Sequence, residues 1–152
     1  MPELIIAVIV ILILVAVWFY VGKKQHNQFR EKAYAILDKH GIVSKNEKST
    51  FFEFKDKTYE ILFYKIAKTH ELTINSKYIW EVHMKSRSTL INQMYFLKSE
   101  LPKIVIIYPI ETRIKRFINE NEMEFIDYKD EFYNMRLVKL DELDQLFTEV
   151  IQ

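Results

Sequence analysis

The sequence predicts an α/β domain, with a tendency towards α+β, that follows an N-terminal transmembrane helix. An uninterrupted apolar run occupies residues 4–21, while the whole 152-residue sequence keeps a globular composition, with 49% hydrophobic and 28% charged residues. Aromatic and β-branched segments in the first half predict an antiparallel hairpin, and strands alternating with helices in the second half imply parallel pairing. We therefore expect a mixed β-sheet with helices on both sides.

The apolar run predicts one membrane-spanning helix. From Leu4 to Val21 it contains no charged side chain, and as a helix it would be about 27 Å long, close to the hydrocarbon thickness of a bilayer. No face of it carries the polar stripe expected of a buried core helix. A cleavable signal peptide needs positive residues before the run, and only Met1, Pro2 and Glu3 stand there. We therefore expect a retained anchor over residues 1–22.

The residues that follow the run predict its orientation. Trp18 and Tyr20 are amphipathic rings suited to the headgroup layer. Lys23 and Lys24 come next, whereas Glu3 lies on the other side of the run. By the positive-inside rule, residues 23–152 form a single cytoplasmic domain of a single-pass protein in the cell membrane.

The first elements of this domain follow from local periodicity. Apolar residues recur at helical spacing over residues 27–40, with Gly41 as the stop, and this helix can continue the anchor. Residues 50–55 and 59–66 are rich in aromatic and β-branched side chains and predict a hairpin. Its turn is expected at residues 56–57.

The later elements alternate in type. Residues 72–74 and 78–84 fit either one interrupted strand or a short pair of strands. The continuous apolar run over residues 103–108 is typical of a strand covered on both faces. The other predicted elements are helices over residues 86–97 and 111–119, strands over residues 123–126 and 135–139, and a final helix that begins at Asp141. Beside the second of these helices, Ile110, Ile114, Phe117 and Ile118 are expected to stack on one side.

Charge divides the domain into two parts. Residues 23–116 contain 19 Lys or Arg and 10 Asp or Glu, whereas residues 117–152 contain 3 and 10. The two parts can neutralise each other when they fold together, or the charges can simply solvate the surface. The basic part can instead lie against anionic lipid headgroups, with nucleic acid as the less favoured polyanion. The predicted partners are the lipid bilayer, anionic headgroups as a further candidate, and a protein that the sequence does not identify.

Composition excludes several kinds of active site. Two glycines leave no glycine-rich phosphate loop and no serine nucleophile elbow, and the absence of cysteine removes disulfides, thiolate zinc sites and cysteine nucleophiles. The four histidines never occur at the three- or four-residue spacing that places two metal ligands on one helix face. We therefore expect no cofactor and no metal site. These histidines are His26, His40, His70 and His83.

One group of strand residues carries some chemistry. If its strand is extended, Glu81, His83 and Lys85 share a face, and Glu60 or Asp56 on the hairpin can reach them. Gathered carboxylates can hold a divalent ion that activates water, while a lysine stabilises negative charge on phosphate. In these residues and in element order, residues 27–108 resemble the restriction-endonuclease-like core of the PD-(D/E)xK family. The resemblance implies a Mg²⁺ site at Glu60 and Glu81 with Lys85 beside it, although His83 occupies the place where that family usually has lysine.

Two functions therefore remain open. A strong anchor without a catalytic motif predicts a non-catalytic docking module that recruits a partner to the membrane surface. The resemblance implies a membrane-tethered, Mg²⁺-dependent nuclease. We expect the docking function and no enzymatic activity.

Overall fold

The computed structural model describes residues 2–47, 49–109, 111 and 113–151, with side chains from residue 6 onward. One long helix, α1 (Pro2–His40), leads into two five-stranded sheets and a short C-terminal helix. The strands are β1 (Ile42–Lys45), β2 (Thr50–Phe54), β3 (Lys57–Lys65), β4 (Glu71–Ile74), β5 (Ile79–Met84), β6 (Arg87–Asn92), β7 (Lys103–Tyr108), β8 (Ile114–Asn119), β9 (Glu122–Ile126) and β10 (Met135–Lys139). The C-terminal helix is α2 (Leu143–Gln145), continued by a π-helical turn (Leu146–Val150).

Both sheets contain parallel and antiparallel pairs. Sheet A has the order β1-β2-β3-β7-β10, in which β3, β7 and β10 are parallel to one another and the first two pairs are antiparallel. Sheet B has the order β6-β5-β4-β8-β9, in which only β4 and β8 are parallel. The chain passes from β3 to β4 and from β7 to β8 through short connections, so each of these strands of sheet A is followed by a strand of sheet B.

The core has two layers, one on each face of sheet A. On one face the two sheets pack together through buried side chains such as Trp80, Val105 and Leu137. On the other face, residues 27–40 of α1 and the C-terminal helix cover the sheet through Leu37 and other apolar residues. Every residue of β7 is buried, which confirms the prediction for this run. The fold is therefore α+β, with layers in the order helices, sheet A, sheet B.

The expectation of helices on both sides of one sheet is wrong, because two predicted helices are strands. Residues 87–92 form β6, which pairs along its length with β5, and residues 114–119 form β8, which pairs with β4 and β9. In β8, Ile114 is buried while Phe117 and Ile118 are exposed, so the predicted helical stack does not form. Pairing with neighbouring strands outweighs helical spacing in such short apolar segments. Ile110, which the predicted stack included, lies outside the described residues.

Other predicted elements are confirmed. The hairpin is β2–β3, and its turn lies at Lys55 and Asp56, one residue earlier than expected. These two residues have φ of 45° and 63°, and such positive values match the twist of a tight hairpin. Residues 72–74 lie in β4, residues 79–84 are β5, one residue shorter than expected, and residues 135–139 are β10. Strand β1 was not predicted.

The predicted anchor and the predicted helix over residues 27–40 form one continuous helix, α1. No break occurs at residue 22, because α1 runs unbroken to His40. Within the described residues, this is the single helix long and apolar enough to cross a membrane, and its apolar window is wholly exposed. Trp18 is 73% and Tyr20 is 69% exposed, and Val21, Lys23 and Lys24 are exposed as well. The side chain of Leu4 lies outside the described residues.

The apolar half of α1 joins one particular end of the domain. Lys65, the last residue of β3, lines the same surface recess as Trp18 and Gly22. The ring of Tyr108, at the end of β7, lies 5.0 Å from that of Phe29 between centroids. We call this end, where the parallel strands of sheet A terminate, the proximal end, and the opposite end the distal end.

Candidate functional site

A surface groove of about 550 Å³ lies at the proximal end, between α1 and the last residues of β7 and β10. Carboxyl ends of parallel strands are a common place for ligand sites, because the connections diverge there and leave a crevice. The floor is mainly apolar and charged side chains surround it. We call it the α1 groove; its lining residues are Phe29, Lys32, Ala35, Ile36, Lys68, Ile107, Tyr108, Pro109, Glu111, Lys139, Leu140 and Asp141.

Local sequence explains the shape of the groove. Lys32, Ala35 and Ile36 are three and four residues apart, so they share one face of α1. Ala35 has a short side chain, which leaves space between the helix and the strand ends. Pro109 lacks an N–H group and cannot donate to a sheet ladder, which suits the end of β7.

Tyr108 fixes α1 to the end of β7. Its side chain is almost fully buried, packs against Phe29 and His26, and its hydroxyl group is hydrogen-bonded to Nδ1 of His26. Burial raises the pKa of the Tyr108 hydroxyl. Burial also lowers the pKa of His26, and the positive charges of Arg30 and Lys65 lower it further. Both groups are therefore mainly uncharged near neutral pH, and Tyr108, which lines the groove, adds no charge to it.

The rim carries charges that a partner can engage. Lys68 and Glu111 form an exposed ion pair of 2.9 Å, while Lys32 and Asp141 form no ion pair with another described residue. Exposed ion pairs contribute about 1 kcal/mol or less, so exchanging one for a partner's charge costs little. An apolar centre with a polar rim is the usual anatomy of a protein interface.

Glu60, the predicted metal-binding acid of the hairpin, is buried between the two sheets. Its neighbours Tyr59 and Ile61 pack on the helix side of sheet A, so Glu60 points towards sheet B. It is 6% exposed, and its partner across the strands is Lys103, which is 5% exposed. Oε2 of Glu60 has no hydrogen-bond partner within the described part of the chain.

Glu81 and Lys85 lie elsewhere. Trp80 and Val82 face sheet A from β5, so Glu81 between them lies on the outer face of sheet B. Lys85 is exposed in the turn after β5. The backbone layer of sheet B therefore separates the carboxylates of Glu60 and Glu81, and the structure does not bring the predicted set together.

Glu81 instead belongs to a polar network. Nδ2 of Asn75 donates a hydrogen bond of 3.3 Å to its carboxylate, and His83 bonds to Thr73 at 3.0 Å. Hydrogen bonds from Ser88 and Asn75 lower the pKa of Glu81. Among the described residues there is no group of three or more His, Asp or Glu placed to hold a metal ion. The nuclease interpretation stays a prediction.

The groove residues were not predicted from the sequence, although a signal for them existed. Pro109 directly follows the buried run over residues 103–108, and Leu140 follows the predicted strand over residues 135–139. If these two strands are parallel and adjacent, their carboxyl ends meet at one edge. That adjacency depends on long-range pairing, which periodicity does not reveal.

Comparison with known protein families, curated proteins and solved structures gave no match to this chain.

Proposed function

We propose that the chain is a single-pass membrane protein whose cytoplasmic domain is a non-catalytic docking module, with the α1 groove as its binding site. The observation that carries this proposal is the groove itself, an apolar recess of about 550 Å³ with a charged rim. Because α1 both lines the groove and continues into the apolar segment, a partner bound there is held close to the membrane surface.

The membrane location is supported by the exposure of the apolar segment. Large apolar side chains there are exposed, including Ile6 at 61% and Leu14 at 63%. Exposing a helix of this kind to water is unfavourable, and a bilayer removes that cost. Lys23 and Lys24 at the end of the segment support the cytoplasmic side.

The groove favours a peptide segment as the partner. An apolar floor beside a helix accepts the apolar face of an amphipathic segment, as in other helix-in-groove complexes. The rim offers cations at Lys32 and Lys139 and anions at Glu111 and Asp141, so the flanks of that segment carry both signs of charge.

Photo-crosslinking in intact cells tests the docking site. A photoreactive amino acid at Ala35, which is exposed inside the groove, should form one discrete adduct with another protein. Gln28 provides the matched control, because it is also exposed on α1 and does not line the groove. Equal labelling at both positions, adducts with a second copy alone, or no adduct at Ala35 would contradict the proposal.

The orientation has a separate test. Because the sequence contains no cysteine, Asn121→Cys, in the exposed β8–β9 turn, creates a unique thiol. A membrane-impermeant maleimide should label it only after the cells are permeabilised. Labelling in intact cells would place the domain outside.

A further inference from the structure

The topology gathers basic side chains from separate connections at the proximal end. Leu72 pairs with Ile114 and Met84 with Arg87, so the starts of β4, β8 and β6 and the end of β5 share one end of sheet B. The connections from β3 to β4 and from β7 to β8 join this end to the proximal end of sheet A. We call the exposed cations there the basic edge: Lys65, Lys85, Arg87 and Arg113.

The nearby acids do not neutralise the basic edge. Glu71 pairs with Lys115 at 2.9 Å, and Glu111 pairs with Lys68 at 2.9 Å. Asp127, after β9, forms no ion pair with a described cation, so it remains as one free carboxylate beside the four cations. None of the four basic-edge residues forms an ion pair with another residue in the described ranges. The proximal end of sheet B therefore presents free positive charge.

One residue of the basic edge, Lys65, lies at the level where α1 would leave a bilayer. Lys65 lines one recess with Trp18, which lies near the end of the apolar segment, and with Gly22, which directly follows that segment. The strands run roughly along the domain half of α1, since Phe29 contacts the end of β7 and Gly41, after the last turn, lies against Glu53 near the distal end. The connections of the proximal end are therefore turned towards the membrane side.

We infer that the basic edge binds the anionic phospholipid headgroups of the bilayer that holds α1. The inference rests on the proposed membrane insertion of α1 and is independent of what occupies the α1 groove. Exposed Lys and Arg within about 10 Å of an anionic surface are attracted to it at ordinary ionic strength. Four such contacts spread over several connections hold the domain with its proximal end against the lipid.

Energy transfer in nanodiscs tests this inference with the full chain. A donor dye is placed at Ser86→Cys in the proximal β5–β6 turn, or at Asn121→Cys in the distal β8–β9 turn, and the acceptor is a labelled lipid headgroup. Both turns are exposed and belong to sheet B, and a six-residue strand separates the two ends by about 20 Å. Discs contain either phosphatidylcholine alone or phosphatidylcholine with phosphatidylserine.

The expected result is higher transfer from position 86 than from position 121 in the anionic discs. That excess should fall in neutral discs, in high salt, and when Lys65, Lys85, Arg87 and Arg113 are changed to Gln. Transfer from position 86 that ignores lipid charge, or that the four Gln substitutions leave unchanged, would overturn the inference. A chain that does not co-elute with discs would overturn the anchoring itself, whereas failure of the crosslinking at Ala35 leaves this result unaffected.

Discussion

Glu60 and Lys103 lie directly opposite each other on the parallel strands β3 and β7, and both are buried between the sheets. Nζ of Lys103 donates hydrogen bonds to the backbone carbonyl groups of Ser99 and Leu101, the latter at 2.8 Å. Burial lowers the pKa of Lys103, and the negative charge of Glu60 opposes that shift. The two side chains are not in ion-pair contact, so they form a unit that is coupled only by longer-range electrostatic attraction.

Removing one member of this unit should be much worse than removing both. Lys103→Met removes the positive charge that offsets the buried Glu60 carboxylate, and we expect the free energy of unfolding to fall by about 2 kcal/mol, the usual cost of an uncompensated buried polar group. The double variant Glu60→Met with Lys103→Met should recover most of that loss, because apolar residues of similar size fill the same space. Denaturant titration of the detergent-solubilised chain, followed by Trp80 fluorescence in a Trp18→Phe background, measures both values. A double variant as unstable as Lys103→Met would contradict the coupling.

His26 should make stability depend on pH below neutrality. Its pKa in the folded chain is lower than 6.5, first through burial and then through Arg30 and Lys65, so the unfolded chain binds the proton more tightly. Stability should therefore fall as pH drops from about 6.5 to the lower, folded pKa, and stay level for this residue at higher pH. Thermal unfolding midpoints between pH 5 and 7.5, a range that brackets the ordinary histidine pKa of about 6.5, should fall less in His26→Gln. Parallel curves for the two chains would rule this out.

The two glycines should respond in opposite ways to substitution by alanine. A Cβ atom at Gly41 would lie 2.2 Å from the carbonyl oxygen of Glu53 and 2.8 Å from the ring of Phe52, whereas nothing lies within 4 Å of one at Gly22. Gly41→Ala should destabilise the domain by about 2 kcal/mol, as overpacking does. Gly22→Ala should leave the unfolding midpoint of the domain unchanged or slightly higher, because alanine favours a helix. A tolerated Gly41→Ala would mean that the start of β1 can shift.

Glu81 separates the docking and nuclease interpretations. In the polar network, Glu81→Gln loses charge-assisted hydrogen bonds from Asn75 and Ser88 and should cost about 1 kcal/mol at pH 7. The folded pKa of Glu81 is lowered, so the stability difference between the original chain and Glu81→Gln should disappear as the pH falls through that folded pKa. Calorimetric titration with Mn²⁺ should show no saturable binding in either chain. Saturable binding that Glu81→Gln abolishes, together with nucleic-acid cleavage, would support the nuclease instead.

Local patterns predicted the elements whose own residues have a clear spacing or composition. The continuous helix, the β2–β3 hairpin and β10 follow from spacing and residue type within each segment. The segment over residues 114–119 was misassigned because its apolar residues sit at both helical and strand spacing, and only pairing with β4 and β9 decides between them. The second sheet was missed for the same reason.

The candidate site was less predictable than the fold. Glu60 and Glu81 are two polar residues on strands of one predicted sheet, and assigning β3 and β5 to different sheets separates them. The α1 groove joins Phe29, Tyr108 and Leu140, which are far apart in the sequence. Their proximity arises from parallel pairing of β7 with β10 and from the packing of α1. No sequence pattern within a single segment indicates either contact.

Because α1 is unbroken, the rotation of its apolar segment about the helix axis fixes the rotation of the domain. Each residue of an α-helix turns the chain by about 100° and advances it by about 1.5 Å. In the proposed orientation, one residue inserted next to Gly22 would therefore rotate the α1 groove by about 100° around the membrane normal and move it about 1.5 Å further from the bilayer. Four inserted residues would return it to nearly the same heading, about 6 Å further from the bilayer. The rotation of the apolar segment about its axis thus determines the direction in which the groove faces along the membrane plane. A protein that binds that segment within the lipid would therefore also determine the direction of the groove.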